Sequence, residues 1–471
     1  MAGPLFKLGE VKARPGIYTR WENAGGDAMT SRPLGVINAV VNVDWGPINK
    51  TVTLGAAESD PANLKKVLGI SKAQRVVEQL FDGGALFVHV TRVGEAETGK
   101  KSASTGEATG IVFTALYESS RMLSAIVREG LDEGTYEVLV NEKVGEKVSN
   151  LEKIEVDATG VEVSDAAQLV VEAINKESKY VTAESNGETI QQGTEDLVGG
   201  ESPEVTNDAY ITAAKTAERT FYDSLVTDSE DPALLAALHT FIRKRLEAGY
   251  RAMAIFGAKA GDKFENKIKV AKSFNDFAVV YVGNGFRTAQ GDFIGALAAA
   301  RVAGMIASGS YLSSPTFKTV RGAIEIIEEL SDYEYEQADT NGLFSFTYNE
   351  DGLVDIEYGI NTLVVLAEDE DEGWKKIRRV RIRYELIDRI VAATMKSLRR
   401  NLSNSGPGRM TICSKGTEII NQMIREGALE SGVMIEDPTT PPHGDTAYFT
   451  FENLVDLDGL ERAYITFPFR Y

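Results

Sequence analysis

The segment RAMAIFG at residues 251–257, together with FAVVYVG at residues 277–283, decides the class of fold. Each is a short apolar run that ends in glycine, which is typical of a buried β-strand. The neighbouring segments DPALLAALHTFIRKRLEAG (residues 231–249) and AQGDFIGALAAARVAGMIASG (residues 289–309) predict helices. Strands that alternate with helices in this way indicate an α/β domain.

The same alternation occurs nearer the beginning of the sequence. LGVINAVVNV (residues 34–43) and ALFVHVTRV (residues 85–93) predict strands, and two short helical segments lie between them. We therefore predict that residues 32–94 and 207–340 form one discontinuous α/β domain.

Residues 95–206, between these two stretches, have a different character. Short strand-like segments such as GTYEVLVNE (residues 134–142) and VEVS (residues 161–164) are separated by Gly, Asn and Asp. DAAQLVVEAINKE, at residues 165–177, predicts a single helix. We predict an inserted, mostly β domain on the outer surface of the protein.

The last part of the sequence begins with a hairpin pattern, GLFSFTYNEDGLVDIEYG at residues 342–359. Helical segments and further strands follow it, so we predict an α+β C-terminal assembly domain at residues 341–454. Residues 1–31 are predicted to be an N-terminal arm with its linker, and residues 455–471 a C-terminal arm. The predicted fold class is therefore a multi-domain α+β protein.

The composition is that of a globular protein, with 43% hydrophobic and 25% charged residues among 471. The formal net charge of −20 argues against nucleic acid or an anionic membrane as a partner of the whole molecule. The single cysteine, Cys413, excludes an internal disulfide framework. No apolar run is long enough to span a membrane, and the N-terminal residues do not resemble a secretory signal, so we expect the protein to be cytoplasmic at synthesis.

No catalytic, metal or cofactor site stands out. VYVGNGFR places Gly283 and Gly285 between a strand and a predicted helix, as in a dinucleotide-binding turn, but Thr288 replaces the third glycine. We interpret this segment as a tight strand-to-helix turn. The three histidines lie far apart, and the pair His443 and Asp445 is a weak indication of a metal site. An α/β enzyme with an unrecognised site is the alternative hypothesis.

The strongest electrostatic feature is the segment of residues 375–400, which has ten basic and two acidic residues and a net charge of +8. From position 384 onward its pattern predicts an amphipathic helix with Ile387, Val391 and Leu398 on one face. The opposite, outward face carries four basic residues, Arg389, Lys396, Arg399 and Arg400.

Three interpretations of this basic face are open. It is a solvated face paired with the acidic residues 368–372, a surface for nucleic acid, or a contact for an acidic protein. Aromatic residues do not alternate with the basic ones after Tyr384, and the acidic remainder of the chain would repel phosphate. Nucleic acid is therefore disfavoured.

Both ends of the sequence have strand patterns, RPGIYTRWEN at residues 14–23 and AYITFPFRY at residues 463–471. An apolar edge strand is rarely left uncovered, and Pro468 suits an edge because it donates no ladder hydrogen bond. We predict that both strands pair with neighbouring copies of the chain, with the hairpin at residues 342–359 as a candidate acceptor. The predicted inter-subunit residues are Ile17, Tyr18, Thr19, Trp21, Tyr464, Ile465, Phe467 and Phe469.

Several segments, in order along the chain, resemble the sheath proteins of contractile phage tails and of the related R-type bacteriocin particles. RPGIYTRWEN resembles the N-terminal arm of that family, and LFDGGALFVHVTRV its first α/β stretch. AARVAGMIASGSYLSSPTFKTVRGA resembles a central signature, while IRRVRIRYELIDRIVAAT, GPGRMTI and LERAYITFPFRY resemble the C-terminal domain. The turn after the insert departs from the family's pattern, because LVGGESPEVTNDAY keeps only Gly199 and Gly200 of it.

The resemblance implies a structural protein with no catalytic residue, metal or cofactor. Sheath proteins assemble as stacked hexameric rings around an inner tube and contract without ATP to drive that tube through a cell envelope. The implied partners are further copies of the chain, the inner tail tube protein, and baseplate and tail-terminator proteins, with no nucleic acid and no direct membrane contact.

Two further expectations follow from the resemblance. The face formed by Arg389, Lys396, Arg399 and Arg400 is expected to bind an acidic surface of the tube. The protein is expected in the host cytoplasm during assembly, and then in a virion or a phage-tail-like particle.

Overall fold

The structure of the protein, a computed structural model, describes residue 14 and residues 35–469. Within the described residues, the first α/β stretch contains three strands, two short α-helices and a 3-10 helix at Ala56–Glu58. Asp60 and Ser71 cap the two α-helices, because the side chain of each accepts a hydrogen bond from a backbone N–H group of the first turn. The elements are β1 (Val36–Val41), β2 (Thr51–Gly55), α1 (Pro61–Leu68), α2 (Lys72–Asp82) and β3 (Phe87–Arg92).

The inserted stretch consists of strands and one helix: β4 (Ile111–Ala115), β5 (Leu123–Glu129), β6 (Thr135–Val144), β7 (Lys147–Asp157), α3 (Val163–Glu177), β8 (Val181–Ser185) and β9 (Gly193–Asp196). Four strands form an antiparallel sheet in the order β7-β6-β5-β9, and β4 pairs with β8. The predicted strand at residues 161–164 is wrong, because α3 already begins at Val163. A four-residue alternation is too short to outweigh the amphipathic helical pattern that follows it.

The second α/β stretch continues the chain with α4 (Asn207–Thr216), β10 (Ser224–Thr227), α5 (Pro232–Glu247), β11 (Met253–Gly257), α6 (Phe264–Phe274), β12 (Val279–Val282), β13 (Gly285–Thr288), β14 (Gly291–Phe293), α7 (Ala296–Ser308), β15 (Ala323–Ile327) and α8 (Asp332–Thr340). Strands from both stretches lie in a single sheet with the order β12-β11-β10-β1-β3-β2. Adjacent strands are parallel except β2, which runs antiparallel to β3. Strands β1, β10, β11 and β12 are buried along their whole length, which explains their nearly continuous apolar sequences.

The region around Gly283 and Gly285 differs from the prediction. Gly285 begins strand β13, and β13 pairs with β14 and β15, so the turn joins two strands and does not lead into a helix. A Cβ atom on Gly285 would collide with the backbone of Phe293, and one on Gly283 with the side chain of Leu343. These glycines therefore permit close packing of the chain, and the helix predicted from position 289 begins only at Ala296.

The remaining elements are β16 (Phe346–Tyr348), β17 (Val354–Ile356), α9 (Ile377–Leu398), α10 (Gly406–Glu426), β18 (Leu429–Glu436) and β19 (Phe449–Asp456). Strands β16 and β17 form the predicted hairpin, and β18 and β19 form a second antiparallel pair. Of the helices in the described part of the chain, none is sufficiently long and apolar to cross a membrane.

Among the described residues, buried apolar side chains form three clusters. The largest surrounds the six-stranded sheet, a second lies inside the insert, and a third joins α9, α10, β18 and β19. The β16–β17 hairpin contributes Phe346, Val354 and Ile356 to the largest cluster, although its sequence position suggested the C-terminal domain. The domain limits themselves stay a prediction.

Candidate functional site: an assembly surface at the C-terminal end

Two carboxylates whose side chains are only 10% exposed, Asp456 and Glu461, hold the start of the C-terminal segment against the body of the protein. Asp456, at the end of β19, pairs with Arg379 and Arg383 of α9; Nε of Arg383 lies 2.9 Å from Oδ2 of Asp456. Leu457 then donates its backbone N–H to Ala428 and accepts a hydrogen bond from Arg378. Glu461 accepts hydrogen bonds from the hydroxyls of Ser314 and Thr316 and forms an ion pair with Lys376.

Beyond Glu461 the chain is exposed and has no secondary structure as far as residue 469, the last one described. Tyr464 and Phe469 are 94% and 91% exposed, and Ile465 and Phe467 are 71% and 70% exposed. The four predicted C-terminal inter-subunit residues therefore form a run of apolar side chains that the rest of the described chain does not cover. Ile17, Tyr18, Thr19 and Trp21 lie outside the described residues.

The β16–β17 hairpin is not a free acceptor for such a segment. The backbone of β17 is already bonded on its outer side, since Val320 N–H donates to Val354 and Ile356 N–H donates to Lys318. The side-chain amide of Asn284 occupies the outer side of β16 by bonding both the N–H and the C=O of Phe346. The predicted acceptor is therefore wrong, because a hairpin pattern gives no information about what else bonds its edges.

The β18–β19 pair is more open. It is a sheet of two strands, and Val433 and Val455 are 45% and 42% exposed. A surface groove of about 600 Å³ follows one face of α10 and is lined by polar side chains and by Met434 of β18. Thr417 of α10 accepts a hydrogen bond from the backbone N–H of Met434, which ties this strand to the helix.

Arg389 was predicted to lie on the outward basic face of α9, and this prediction is wrong. Its side chain is only 8% exposed and pairs with Glu385 at 2.8 Å and Glu426 at 2.7 Å. The guanidinium also lies over the ring of Tyr311, 5.2 Å from its centroid. Burial lowers the pKa of Arg389, but hydrogen bonds to Glu426 and Glu385 outweigh this and raise it above the usual value.

The basic residues before Arg389 are also bonded within the chain. Arg381 donates to the backbone carbonyls of Gly309 and Ser310, and Arg378 to that of Leu312, so the first half of α9 is fastened to the segment after α7. Asp388 adds a buried ion pair with Arg251, whose side chain is fully buried. Most of the positive charge of residues 375–400 therefore serves the interior of this one chain.

Lys396, Arg399 and Arg400 remain exposed at the C-terminal end of α9. Within the described residues no ion pair involves these three side chains. Leu398, which was predicted to face the core, is exposed, because Ser397 faces α10 and accepts a hydrogen bond from Lys415 at 2.8 Å. The exposed basic face is therefore smaller than predicted and lies at the last turn of the helix.

The alternative hypothesis of an α/β enzyme requires a pocket with polar or metal-binding side chains. Ligands of α/β proteins bind beyond the carboxyl ends of the parallel strands, and a cavity of about 330 Å³ lies there, between β1, β3 and the insert. Its walls are mainly apolar and include Trp45 and Tyr180, and its Arg92 donates to the carbonyls of Gly46 and Glu118. Among the described residues, no group of His, Cys, Asp or Glu could hold a metal ion.

The three histidines make separate local contacts. His89 is half-buried and its Nδ1 lies 2.8 Å from the hydroxyl of Thr53, which agrees with a satisfied residue of the sheet; burial lowers its pKa. His443 lies in a turn closed by two backbone hydrogen bonds with Thr446. His239 pairs with Asp276 at 2.6 Å.

Sequence reasoning missed the carboxylates that organise this surface. Asp456 and Glu461 are two among 70 acidic residues, and their partners are distant in the sequence. Their only signal is weak: the excess of basic residues in α9 requires acidic partners from elsewhere if the helix is buried.

Replacement of Asp456 by Asn is expected to destabilise the C-terminal cluster in a pH-dependent way. Burial alone would raise the pKa of Asp456, but Arg379 and Arg383 lower it to about 2. A carboxylate with a lowered pKa stabilises the folded state fully above its unfolded pKa near 4 and loses that effect as the pH falls towards 2. We expect a loss of about 2 kcal/mol at pH 7 and almost none at pH 2.

This expectation is checked by urea unfolding of both chains between pH 2 and 7. Glu452→Gln, a change to an exposed carboxylate of the same strand, is the matched control. Parallel pH profiles for the wild type and Asp456→Asn would contradict the assigned role.

Comparison with known proteins relates the middle of the chain to a family. Residues 203–362 match the family model of the phage tail sheath protein central domain. The phage-like element PBSX protein XkdK of Bacillus subtilis is 23% identical over 440 residues, which cover 90% of this chain and 89% of the relative.

Solved structures agree with this match. The sheath tail protein from Desulfitobacterium hafniense has a TM-score of 0.67 and 20% identity, covering 94% of this chain and all of the other. The helical sheath of the anti-feeding prophage in its contracted state has a TM-score of 0.51 and 10% identity, covering 97% and 99% of the two chains. At such identities the structures show a shared fold.

The resemblance to tail sheath proteins is therefore confirmed: the chain contains a phage tail sheath central domain and has the mixed α+β, multi-domain fold of sheath proteins. The matched family model and the similar solved structures are those of sheath proteins, which agrees with the prediction that the chain is not an enzyme.

Proposed function

We propose that this protein is the subunit of a contractile tail sheath, which polymerises as stacked hexameric rings around an inner tube and contracts to drive the tube through a cell envelope. The exposed apolar segment at residues 463–469 carries the proposal, because a soluble subunit gains nothing from such a segment unless another chain covers it. The match to the sheath central domain and the fold shared with a contracted sheath support it. Contraction then needs no nucleotide, since many subunit contacts improve together when the lattice rearranges.

We further propose that the C-terminal segment of one subunit adds a strand to the β18–β19 sheet of another. The outer edge of β19 has no strand neighbour in the described chain, whereas β18 is already bonded to α10 through the N–H of Met434. Backbone pairing would supply affinity, while Ile465, Phe467 and Phe469 would lie on one face of the added strand. The N-terminal segment around Ile17 and Trp21 is proposed to join the same mixed-chain sheet.

The partners and location are proposed on the same basis. Besides copies of itself, the subunit would bind the inner tube protein, a baseplate and a tail terminator. It would assemble in the host cytoplasm and function in a virion or a phage-tail-like particle.

Negative-stain microscopy of the purified chain tests the proposed function directly. A sheath subunit forms rings or long tubular polymers without any added cofactor, whereas an α/β enzyme forms a small discrete oligomer. A homogeneous monomer or dimer at all concentrations and salt conditions would contradict the proposal.

Charge reversal at the end of α9 is expected to weaken the contact with the tube. Lys396 and Arg399 are exposed and unpaired within the described residues, so Lys396→Glu with Arg399→Glu replaces attraction to an acidic tube with repulsion. We expect at least about tenfold less sheath on purified tubes at low salt, with little change in sheath-on-sheath polymerisation.

Co-sedimentation with tubes at low and high salt provides the measurement. The control reverses Lys143 and Lys147, which are exposed on the insert and carry the same charge. Equal tube binding by the two double variants would show that the basic face is only solvated.

Deletion of the insert is expected to leave polymerisation intact. The chain enters and leaves the insert at a neck where Glu95 N–H donates to the carbonyl of Glu204, and Lys100 and Glu201 exchange two backbone hydrogen bonds. A short Gly/Ser bridge from residue 96 to residue 203 therefore spans the gap and keeps Thr206, which caps α4.

Microscopy and thermal unfolding of this deletion variant give the outcome. We expect a lower unfolding temperature, because Trp45 and Arg92 lose contacts with the insert, but normal tubular polymers. A folded variant that never polymerises would contradict a peripheral role for the insert.

A further inference from the structure

Glu461 is held by parts of the chain that are far from it in sequence. Its carboxylate accepts hydrogen bonds from Ser314 Oγ at 2.9 Å and Thr316 Oγ1 at 2.6 Å, and it pairs with Lys376. The Glu461 side chain is 10% exposed, and that of Lys376 15%. Burial raises the pKa of Glu461, but its bonds with Lys376, Thr316 and Ser314 outweigh this and lower it, so the group stays charged.

Arg462 extends this contact by one residue. Its guanidinium lies over the ring of Tyr358, 5.3 Å from the centroid, and Lys376 Nζ lies 3.8 Å from the same centroid. From residue 463 to residue 469 every residue is exposed. Within two residues the chain therefore changes from Glu461, whose side chain is hydrogen-bonded and ion-paired, to Ala463, which is exposed.

We infer that Glu461 is a positioning residue that fixes the point and direction at which the C-terminal segment leaves the subunit, so that the exchangeable strand is residues 463–471 and not all of the predicted arm, 455–471. The inference rests on the proposed function, and the partner is a second copy of this chain. A segment that is directed at its root loses less conformational freedom when it docks, so a fixed root increases affinity without adding a contact to the partner.

The hydrogen bonds of Glu461 with Ser314 and Thr316 also connect the C-terminal segment to a second part of the chain. These residues follow α7 of the central sheet layer, whereas Lys376 immediately precedes α9. Glu461 therefore ties the root of the exchanged strand to both the central body and the C-terminal cluster. A strand fixed in this way moves with the body of its own subunit.

Glu461→Gln tests the inference, because it preserves size while removing the charge that pairs with Lys376. Trypsin cleavage after Arg462 reports on the root of the segment in the unpolymerised full-length chain. We expect cleavage about tenfold faster than in the wild type and a critical concentration for polymerisation about tenfold higher. The control is Glu146→Gln, which alters an exposed carboxylate of the insert.

A second variant separates positioning from general stability. Lys376→Met removes the partner charge, and a double-mutant cycle with Glu461→Gln should show that the two effects on cleavage are not additive. Unchanged cleavage and assembly in Glu461→Gln would overturn the inference, as would additive effects in the cycle.

The outcome also distinguishes this inference from the proposed function. If a chain lacking residues 463–471 polymerises normally, the proposed strand exchange fails, whatever the cleavage rates are. If that chain fails to polymerise while Glu461→Gln behaves like the wild type, strand exchange stands and only the positioning role fails.

Discussion

A chain that ends at Arg462 is expected to fold but not to polymerise. Deletion of residues 463–471 removes Ile465, Phe467 and Phe469, which are exposed in the single chain and contribute nothing to its core. If each is buried in a neighbouring subunit, the transfer from water is worth about 1.5–3 kcal/mol per side chain, before backbone pairing is counted. A loss of about 5 kcal/mol per contact raises the critical concentration by more than roughly a thousandfold.

Sedimentation and negative-stain microscopy measure this effect, and circular dichroism shows whether the truncated chain is folded. Ile465→Asp with Phe467→Asp should reproduce the loss in a full-length chain, whereas Thr466→Ser, between the same two residues, should not. Long sheaths formed by the truncated chain would refute strand exchange at this end.

Arg389→Ala is expected to have the largest effect on the stability of the subunit itself. Removal of the guanidinium breaks its ion pairs with Glu385, which is buried, and with Glu426, which is half-buried. The loss of one member of a buried ion pair typically costs about 3–5 kcal/mol, because the remaining charge is left without compensation. The unfolding transition of the C-terminal cluster should therefore move to a much lower urea concentration.

Arg399→Ala is the matched control, because Arg399 is exposed directly after the last residue of α9 and should change the unfolding free energy by less than about 0.5 kcal/mol. The two arginines thus separate opposite roles on one helix. Arg389→Ala should affect folding, and changes at Arg399 should affect tube binding. Equal unfolding curves for the two variants, with a loss of tube binding in Arg389→Ala, would restore the original interpretation of Arg389.

The contrast between these arginines shows that the sequence pattern predicts the burial of apolar strands but not the burial of a charged side chain. Apolar runs such as residues 251–257 predict buried strands because their burial depends on local composition, and β11 is found there. The exposure of a charged side chain depends on its partner, and Glu426 lies 37 residues beyond Arg389. Periodicity alone therefore places Arg389 in solvent.

The acceptor for the exchanged strand was missed for a related reason. The hairpin at residues 342–359 has the clearest strand pattern in its region, and β16 and β17 form as predicted. Whether an edge is free depends on what bonds it, and Asn284 and residues 318–320 come from other parts of the chain. The C-terminal segment, in contrast, could be recognised from its own alternating apolar residues and from Pro468, which suits an edge strand.

The neck of the insert also makes the subunit suitable for display of foreign domains. Because Glu95 and Glu204 are directly hydrogen-bonded, whatever replaces the residues between them begins and ends at nearly the same point. The entropy cost of closing such a loop grows only slowly with its length, so a replacement of very different size would disturb the six-stranded sheet little. A helical polymer built from such subunits would present one copy of a chosen cargo per subunit at a regular spacing along its length.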